Sequence, residues 1–188
     1  MLKGRLGDDV LDIVQEGIHP FVRVKPSAWR AAAEFARDGL GCESLHDLTA
    51  VDSKDRTVLT VICHLWSFHH RHWVNLKADV DRAEPCIDSL QPLWNAADWH
   101  ERECWDMFGV RFEGHPNLRR ILCAEDWVGF PLRKDYEMPS EYHGIPGIPV
   151  MRARDTEVGH CFPPVKKEAP PKPAAPAAPP PAATGGAS

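Results

Sequence analysis

The sequence predicts an α+β domain of two layers, with helices packed on one mixed or antiparallel sheet. An extended segment and a Pro/Ala-rich tail follow it. Three observations carry this expectation. Residues 72–80 alternate, with Val74, Leu76, Ala78 and Val80 on one face and Trp73, Asn75, Lys77 and Asp79 on the other. Residues 57–66 are β-branched and apolar on both faces, as in a strand lying centrally. Helical spacing of apolar residues recurs before and after this pair, so helices and strands alternate in blocks.

Taken in order, residues 8–16 predict a short helix, with Val10 and Val14 on one face and Gly17 at its C-terminal cap. Residues 21–24 form a short strand ending at Pro26. Ser27 then caps a clearer helix in which Trp29, Ala32, Ala33 and Ala36 recur at helical spacing, closed by Gly39 and Gly41. Residues 45–51 are the first strand of the central group. The loop at 53–56 turns it into 57–66, and residues 69–71 turn that strand into 72–80. Residues 85–93 predict a short helix interrupted around Pro92. The next helix takes Asp98 as N-cap, Glu101 as the capping-box partner three residues on, and Gly109 as its close. The core domain on this reading is 1–112, the extended docking segment 113–162 and the tail 163–188. The stretch 163–181 holds nine of the chain's eighteen prolines and buries too little apolar surface to fold, so it is expected to be disordered or polyproline-like.

Composition narrows the function. The formal net charge is −5, from 22 basic and 27 acidic side chains, which disfavours nucleic acid as a partner. No apolar run approaches a membrane span, and the acidic start MLKGRLGDDV does not read as a signal peptide, so a cytosolic chain is expected. Cys42, Cys63, Cys86, Cys104, Cys123 and Cys161 contain no CxxC pair and read as reduced, mostly buried thiols rather than zinc or iron–sulfur ligands. His69, His70 and His72 invite a metal hypothesis, yet two same-face histidines without an acid or thiol fit a solvated turn better. His100 and Cys104, one turn apart, fit core packing better than a metal, for want of two further ligands. No Ser/His/Asp arrangement, phosphate loop or dinucleotide fingerprint is present.

The densest information lies in 101–136, ERECWDMFGVRFEGHPNLRRILCAEDWVGFPLRKDY. Charges, glycines, prolines and aromatics mix there with little periodicity, as in a binding surface or docking segment. Arg102 and Asp106, four apart, can pair on one helix face. Glu101 and Glu103 point to different sides and read as a cap and a solvated charge rather than a catalytic pair. Pro116 keeps His115 out of a helix. Arg119–Arg120 and Arg133–Lys134 suit carboxylates of a neighbouring chain. Trp105 is expected to close the core, Trp127 and Tyr136 to anchor an interface.

Glu101, Arg102, Glu103, Asp106, Met107, Phe108, His115, Arg119 and Ile121 resemble, position by position, the signature of the 30 kDa (C) subunit family of bacterial NADH–quinone oxidoreductase, respiratory complex I. Asp126, Trp127, Gly129, Pro131, Leu132, Arg133, Lys134, Asp135 and Tyr136 resemble its downstream motif, with Phe130 where that family carries His and Glu137 where it carries Pro. The stretches LTAVDS and ICHLWS resemble its strands, and the likeness runs from about Val10 to Tyr142. It implies a cofactor-free, non-catalytic subunit of the peripheral arm, bound to the D (49 kDa) subunit beside the B and I subunits. Its extended segment would wrap that partner. FMN and Fe–S clusters in the assembled translocase would carry electrons from NADH to quinone, at the cytoplasmic face of the inner membrane. The residues implied to bind partners are Glu101, Arg102, Glu103, Asp106, His115, Pro116, Arg119, Arg120, Asp126, Trp127, Pro131, Arg133, Lys134, Asp135 and Tyr136. The same module in a related membrane-bound hydrogenase or other-donor quinone oxidoreductase is the alternative. An independent metal enzyme and a free-standing proline-tailed adaptor are further rivals.

Overall fold

Five strands form one mixed sheet in the order β1-β2-β5-β4-β3. They are β1 (Val10–Val14), β2 (Phe21–Val24), β3 (Ser44–Asp52), β4 (Val58–Ser67) and β5 (His72–Asp81). The β2–β5 pair is parallel and the others are antiparallel. A computed structural model describes residues 2–17 and 19–146 of the chain; the expected tail, Cys161 and most of the second half of the expected docking segment lie outside them.

The register explains which face is buried. Leu48, Cys63 and Leu76 stand side by side on β3, β4 and β5, and Ala50, Val61, Ala78 and Val24 form the next row. Both rows are buried. Helix α2 (Trp29–Leu40) lays Trp29, Ala32, Ala33 and Ala36 on this face, and α3 (Ala97–Phe108) lays Ala97, Cys104, Met107 and Phe108 beside them. The small alanines of α2 let the helix sit close to the sheet. Cys42, Cys63 and Cys104 are buried thiols, and Cys86 and Cys123 are partly buried thiols.

Four local expectations are corrected. Residues 10–14 are a strand, not part of a helix. Val10, Ile13 and Val14 are β-branched, and pairing with β2 satisfies backbone groups that a single turn of helix could not. The helix in this region is instead the short α1 (Leu2–Leu6). Residues 85–93 hold no helix; β6 (Cys86–Asp88) pairs in parallel with β7 (Arg111–Glu113), between prolines that deny a helix its donors. Ser27 does not cap α2, because a 3-10 turn over Pro26–Ala28 carries the chain into the helix. Asp98 lies inside α3 rather than at its cap, and Glu101 is no capping-box partner. Gly41 and Gly109 do close α2 and α3, each left-handed, at φ 67° and 78°.

Residues up to Pro139 belong to one compact unit. The second unit contributes, among described residues, a small hairpin of β8 (Glu141–Tyr142) and β9 (Ile145–Pro146).

Candidate partner interface

After β7 the chain has no regular secondary structure as far as Pro139, yet it is held on the core at a few polar points. The strongest is Asp106 of α3, which is fully buried. Its Oδ2 accepts the consecutive backbone N–H groups of Ile121, Leu122 and Cys123 at 3.1, 2.7 and 2.9 Å. Its Oδ1 accepts Arg120 Nη1 at 2.7 Å. Burial alone would raise this carboxyl's pKa. The three N–H groups and the guanidinium outweigh it and hold the group below its ordinary value. A carboxylate on a fixed helix thus imposes a turn on a segment that lacks a propensity of its own.

The second point is Asp52, at the end of β3. It is buried and accepts Arg82 through Nε and Nη2 at 2.9 and 3.1 Å, in the forked geometry of a strong pair. It also accepts the backbone N–H of Lys134 at 2.9 Å, while Arg82 reaches on to Asp135. Here too burial works against ionisation, and Arg82 with Lys134 N–H prevails, so the pKa lies below the ordinary value. Arg133 Nε donates to the carbonyl of Phe108 at 2.7 Å, and Leu132 N–H to that of Met107 at 3.1 Å. Both carbonyls belong to the last turn of α3, where helix acceptors lack internal partners.

Around Glu101 a third group forms. The residue is fully buried; Oε1 accepts Leu90 N–H and Oε2 meets the Ser89 hydroxyl, each at 2.6 Å. The ring of His115 is enclosed beside it. Arg102 reaches back to Asp98 at 3.8 Å and donates to the Arg119 carbonyl at 3.3 Å.

This geometry revises several readings of the segment. Arg102 and Asp106 do not pair with each other: Asp98 takes the first and Arg120 the second. Glu101 is a buried anchor rather than a cap, whereas Glu103 is exposed as a solvated charge should be. Arg120 and Arg133 are turned inward, while Arg119, Pro116, Lys134 and Asp126 are exposed. Pro131 and Trp127 are half-buried. Tyr136 packs on Gly129, where a Cβ would lie 3.0 Å from its ring, and Trp105 is half-buried under Arg120. Phe130, in place of the family's His, sits against Gly109 and receives Arg133 and Arg120 over its ring at 4.7 and 5.8 Å. Asp52, Arg82 and Ser89 are anchoring residues that no period marks; only the LTAVDS stretch, which contains Asp52, points toward any of them.

The apolar side chains of this segment run the other way. Leu122, Val128, Leu132 and Met138 are 62%, 83%, 53% and 53% exposed. Polar atoms are buried and large apolar side chains face out, the reverse of an ordinary surface loop.

The sheet face opposite the helices is different in kind. Trp66 and Trp73 lie 4.8 Å apart, and His46 meets Trp73 edge-on at 4.8 Å. Next to them, a cleft of about 640 Å³ is lined by His19, His46, Asp47, His64, Trp73 and Asn75. His70 and His72 stack at 5.8 Å, and His100 lies 3.6 Å from Asp47 while Cys104 is in the core. Among the described residues, no three His, Cys, Asp or Glu side chains are grouped to hold a metal ion.

Residues 22–142 match the family model of the 30 kDa subunit of respiratory-chain NADH dehydrogenase. The chain belongs to that family. It is 40% identical over 148 residues to the C subunit of NADH-quinone oxidoreductase from Chloroherpeton thalassium, covering 77% of this chain and 62% of that relative's length. It is 41% identical to the corresponding C subunit from Chlorobium phaeobacteroides, covering 77% and 90%. Among solved structures, the trypsin-resistant fragment (1–134) of Nqo5 superposes with a TM-score of 0.53 at 22% identity, covering 63% of this chain and all of that one. A chain of the membrane-bound sulfane sulfur reductase, an archaeal respiratory membrane complex, gives 0.59 at 20%, covering 73% and 82%. These two likenesses establish a shared fold. No helix among the described residues is long and apolar enough to cross a membrane.

Proposed function

We propose that this chain is a structural, cofactor-free subunit of the peripheral arm of a proton-translocating NADH:quinone oxidoreductase. It binds the D (49 kDa) subunit, next to the B and I subunits, on the cytoplasmic face of the membrane. In the assembled enzyme FMN and Fe–S clusters carry the electrons; this chain holds the partner that the quinone approaches. Family membership supports the enzyme class. The observation that carries the docking role is the inverted segment 120–138, whose apolar side chains are presented outward on a backbone pinned by Asp106 and Asp52. Pinning a loop before association lowers the entropy lost on binding. Arg120 and Arg133, the inward-turned cations of the segment, hold the chain in place, which supports partner binding over catalysis as its role.

The second reading, the equivalent subunit of a complex fed by another donor, draws on the likeness to the sulfane sulfur reductase chain. Copurification separates the two. The tagged chain pulled from solubilised membranes is expected to bring a D-type subunit, with either flavin or hydrogenase-type subunits naming the donor. Val128→Asp, at an exposed position, should reduce recovery of the complex on native gels about tenfold or more, the loss expected when an apolar interface anchor is replaced by a charge, and Arg119→Ala should reduce it by removing an exposed cation that suits a partner carboxylate. Intact complex with lost turnover would refute the docking role.

A further inference from the structure

Three carboxylates are buried in or beside the anchored segment, and they are not partnered alike. Asp106 faces Arg120 and Asp52 faces Arg82. Among the described residues, Glu101 faces no such cation. Its two oxygens meet the Ser89 hydroxyl and the Leu90 N–H, both neutral. The nearest titratable groups are His115 across from it, Asp98 one turn back on α3, and the thiols of Cys63 on β4 and Cys104 on α3, whose ionisation the Glu101 charge opposes. Arg102 is drawn off to Asp98 and the Arg119 carbonyl.

His115 could supply the missing positive charge only by carrying two protons. Its hydrogen bonds forbid that. Nδ1 accepts the backbone N–H of Asn117 at 3.1 Å, so it holds no proton. Nε2 must then carry the single proton, and it donates toward the carbonyl and carboxylate of Asp98, each at 3.3 Å. The ring is neutral, and Glu101 Oε2 lies 4.0 Å from its Nε2. An ionised Glu101 would be a buried charge with no cation, beside the second carboxylate of Asp98. Burying such a group favours its neutral form.

The geometry points to Glu101 as a proton-binding site: the folded chain keeps a neutral carboxylic acid there well above the pH at which an exposed glutamate ionises and gives the proton up around neutrality, the acid being bonded through Oε2 to Ser89. Ser89 Oγ accepts Gln91 N–H at 3.1 Å and donates to the ionised Oε2 at 2.6 Å; when Oε2 is protonated the hydroxyl turns and its second lone pair takes the acid proton. The bound ligand is one proton, exchanged with solvent. Its loss places an uncompensated charge where α3, residues 89–90 and His115 meet, and so loosens the start of the docking segment. The direction of the shift agrees: burial, with a contribution from Asp98, raises Glu101 to about 7 against the pull of Ser89 and Leu90.

The sign of the pH dependence follows. An acid whose folded value is raised stabilises the fold fully below its unfolded value, and that contribution is lost as pH rises toward and through neutrality. The test is NMR of the full wild-type chain with its glutamate carboxyl carbons and histidine nitrogens labelled, titrated from about pH 5 to pH 8. The Glu101 carboxyl resonance is expected to move from the acid to the ionised position near neutrality. Glu101→Gln, which mimics the acid, should melt higher than wild type above neutrality and converge with it toward pH 5. A Glu101 resonance at the ionised position over the whole range, or a doubly protonated His115 at neutral pH, would overturn the proposal.

Discussion

The helix-covered side of the sheet and the segment 113–139 that follows it are both ordered parts of one unit, but they are held by different physics. The first rests on rows of Leu, Val, Ala and Cys pressed under two helices. Its stability is spread over many weak, non-directional contacts, so loss of one side chain is felt in proportion to the volume removed. The second buries few apolar groups and depends on two carboxylates and two helix-terminal carbonyls. Its order is concentrated in a few directional bonds, and removing one anchor leaves several donors unsatisfied at once. A segment built this way is ordered without possessing a core of its own, which leaves its large apolar side chains exposed, as the proposed docking role requires.

Three substitutions bear on that contrast. Asp106→Ala strands Arg120 and three backbone N–H groups, and should cost about 4 kcal/mol, within the range for breaking a buried pair. Hydrogen exchange should show the loss first in residues 119–136. The same variant should flatten the acid limb of the stability curve. The depressed Asp106 carboxyl contributes stability above its unfolded value near pH 3.9, and that is lost as pH falls through the folded value. Unchanged exchange in 119–136 would break the comparison. Leu76→Ala, at a fully buried position on β5, should cost about 3 kcal/mol by denaturant titration, spread over the whole unit rather than one segment. Trp73→Ala lies on the open face, half exposed, and should cost about 1 kcal/mol or less. A loss as large as that of Leu76 would show that the aromatic face is a second core.

How far the sequence discloses this architecture follows the same division. Strands β3, β4 and β5 with their turns, helix α2 and the end of α3 are legible because burial imposes a period, and alternation in 72–80 marks the covered face correctly. Residues 10–14 are misread because five residues cannot establish a period; the choice between helix and strand there is made by β2, far enough along the chain to leave no local mark. Residues 85–93 fail for the same reason, since β7, which pairs with β6, lies more than twenty residues on. In the irregular segment the chemistry of Glu101, Arg102, Asp106 and Arg133 is visible but its partners are not. Asp106 looks like half of an i, i+4 pair with Arg102, and nothing local reveals that Arg120 and three N–H groups will claim it instead. Arg82 and Asp52 lie thirty residues apart, and although Asp52 falls within LTAVDS, nothing local marks the two as a pair.

The bond from Asp52 to Lys134 joins residues 82 positions apart. Closing so long a loop costs entropy that no local preference in 113–136 repays in advance. Its acceptor is presented at the end of β3, and its neighbour Arg82 immediately after β5, only once those strands have paired. The segment is therefore expected to find its place late in folding, after those strands have paired. A newborn or damaged chain with an unfinished sheet offers its partner no ordered surface, so recruitment into a complex would be restricted to chains that have already completed their fold.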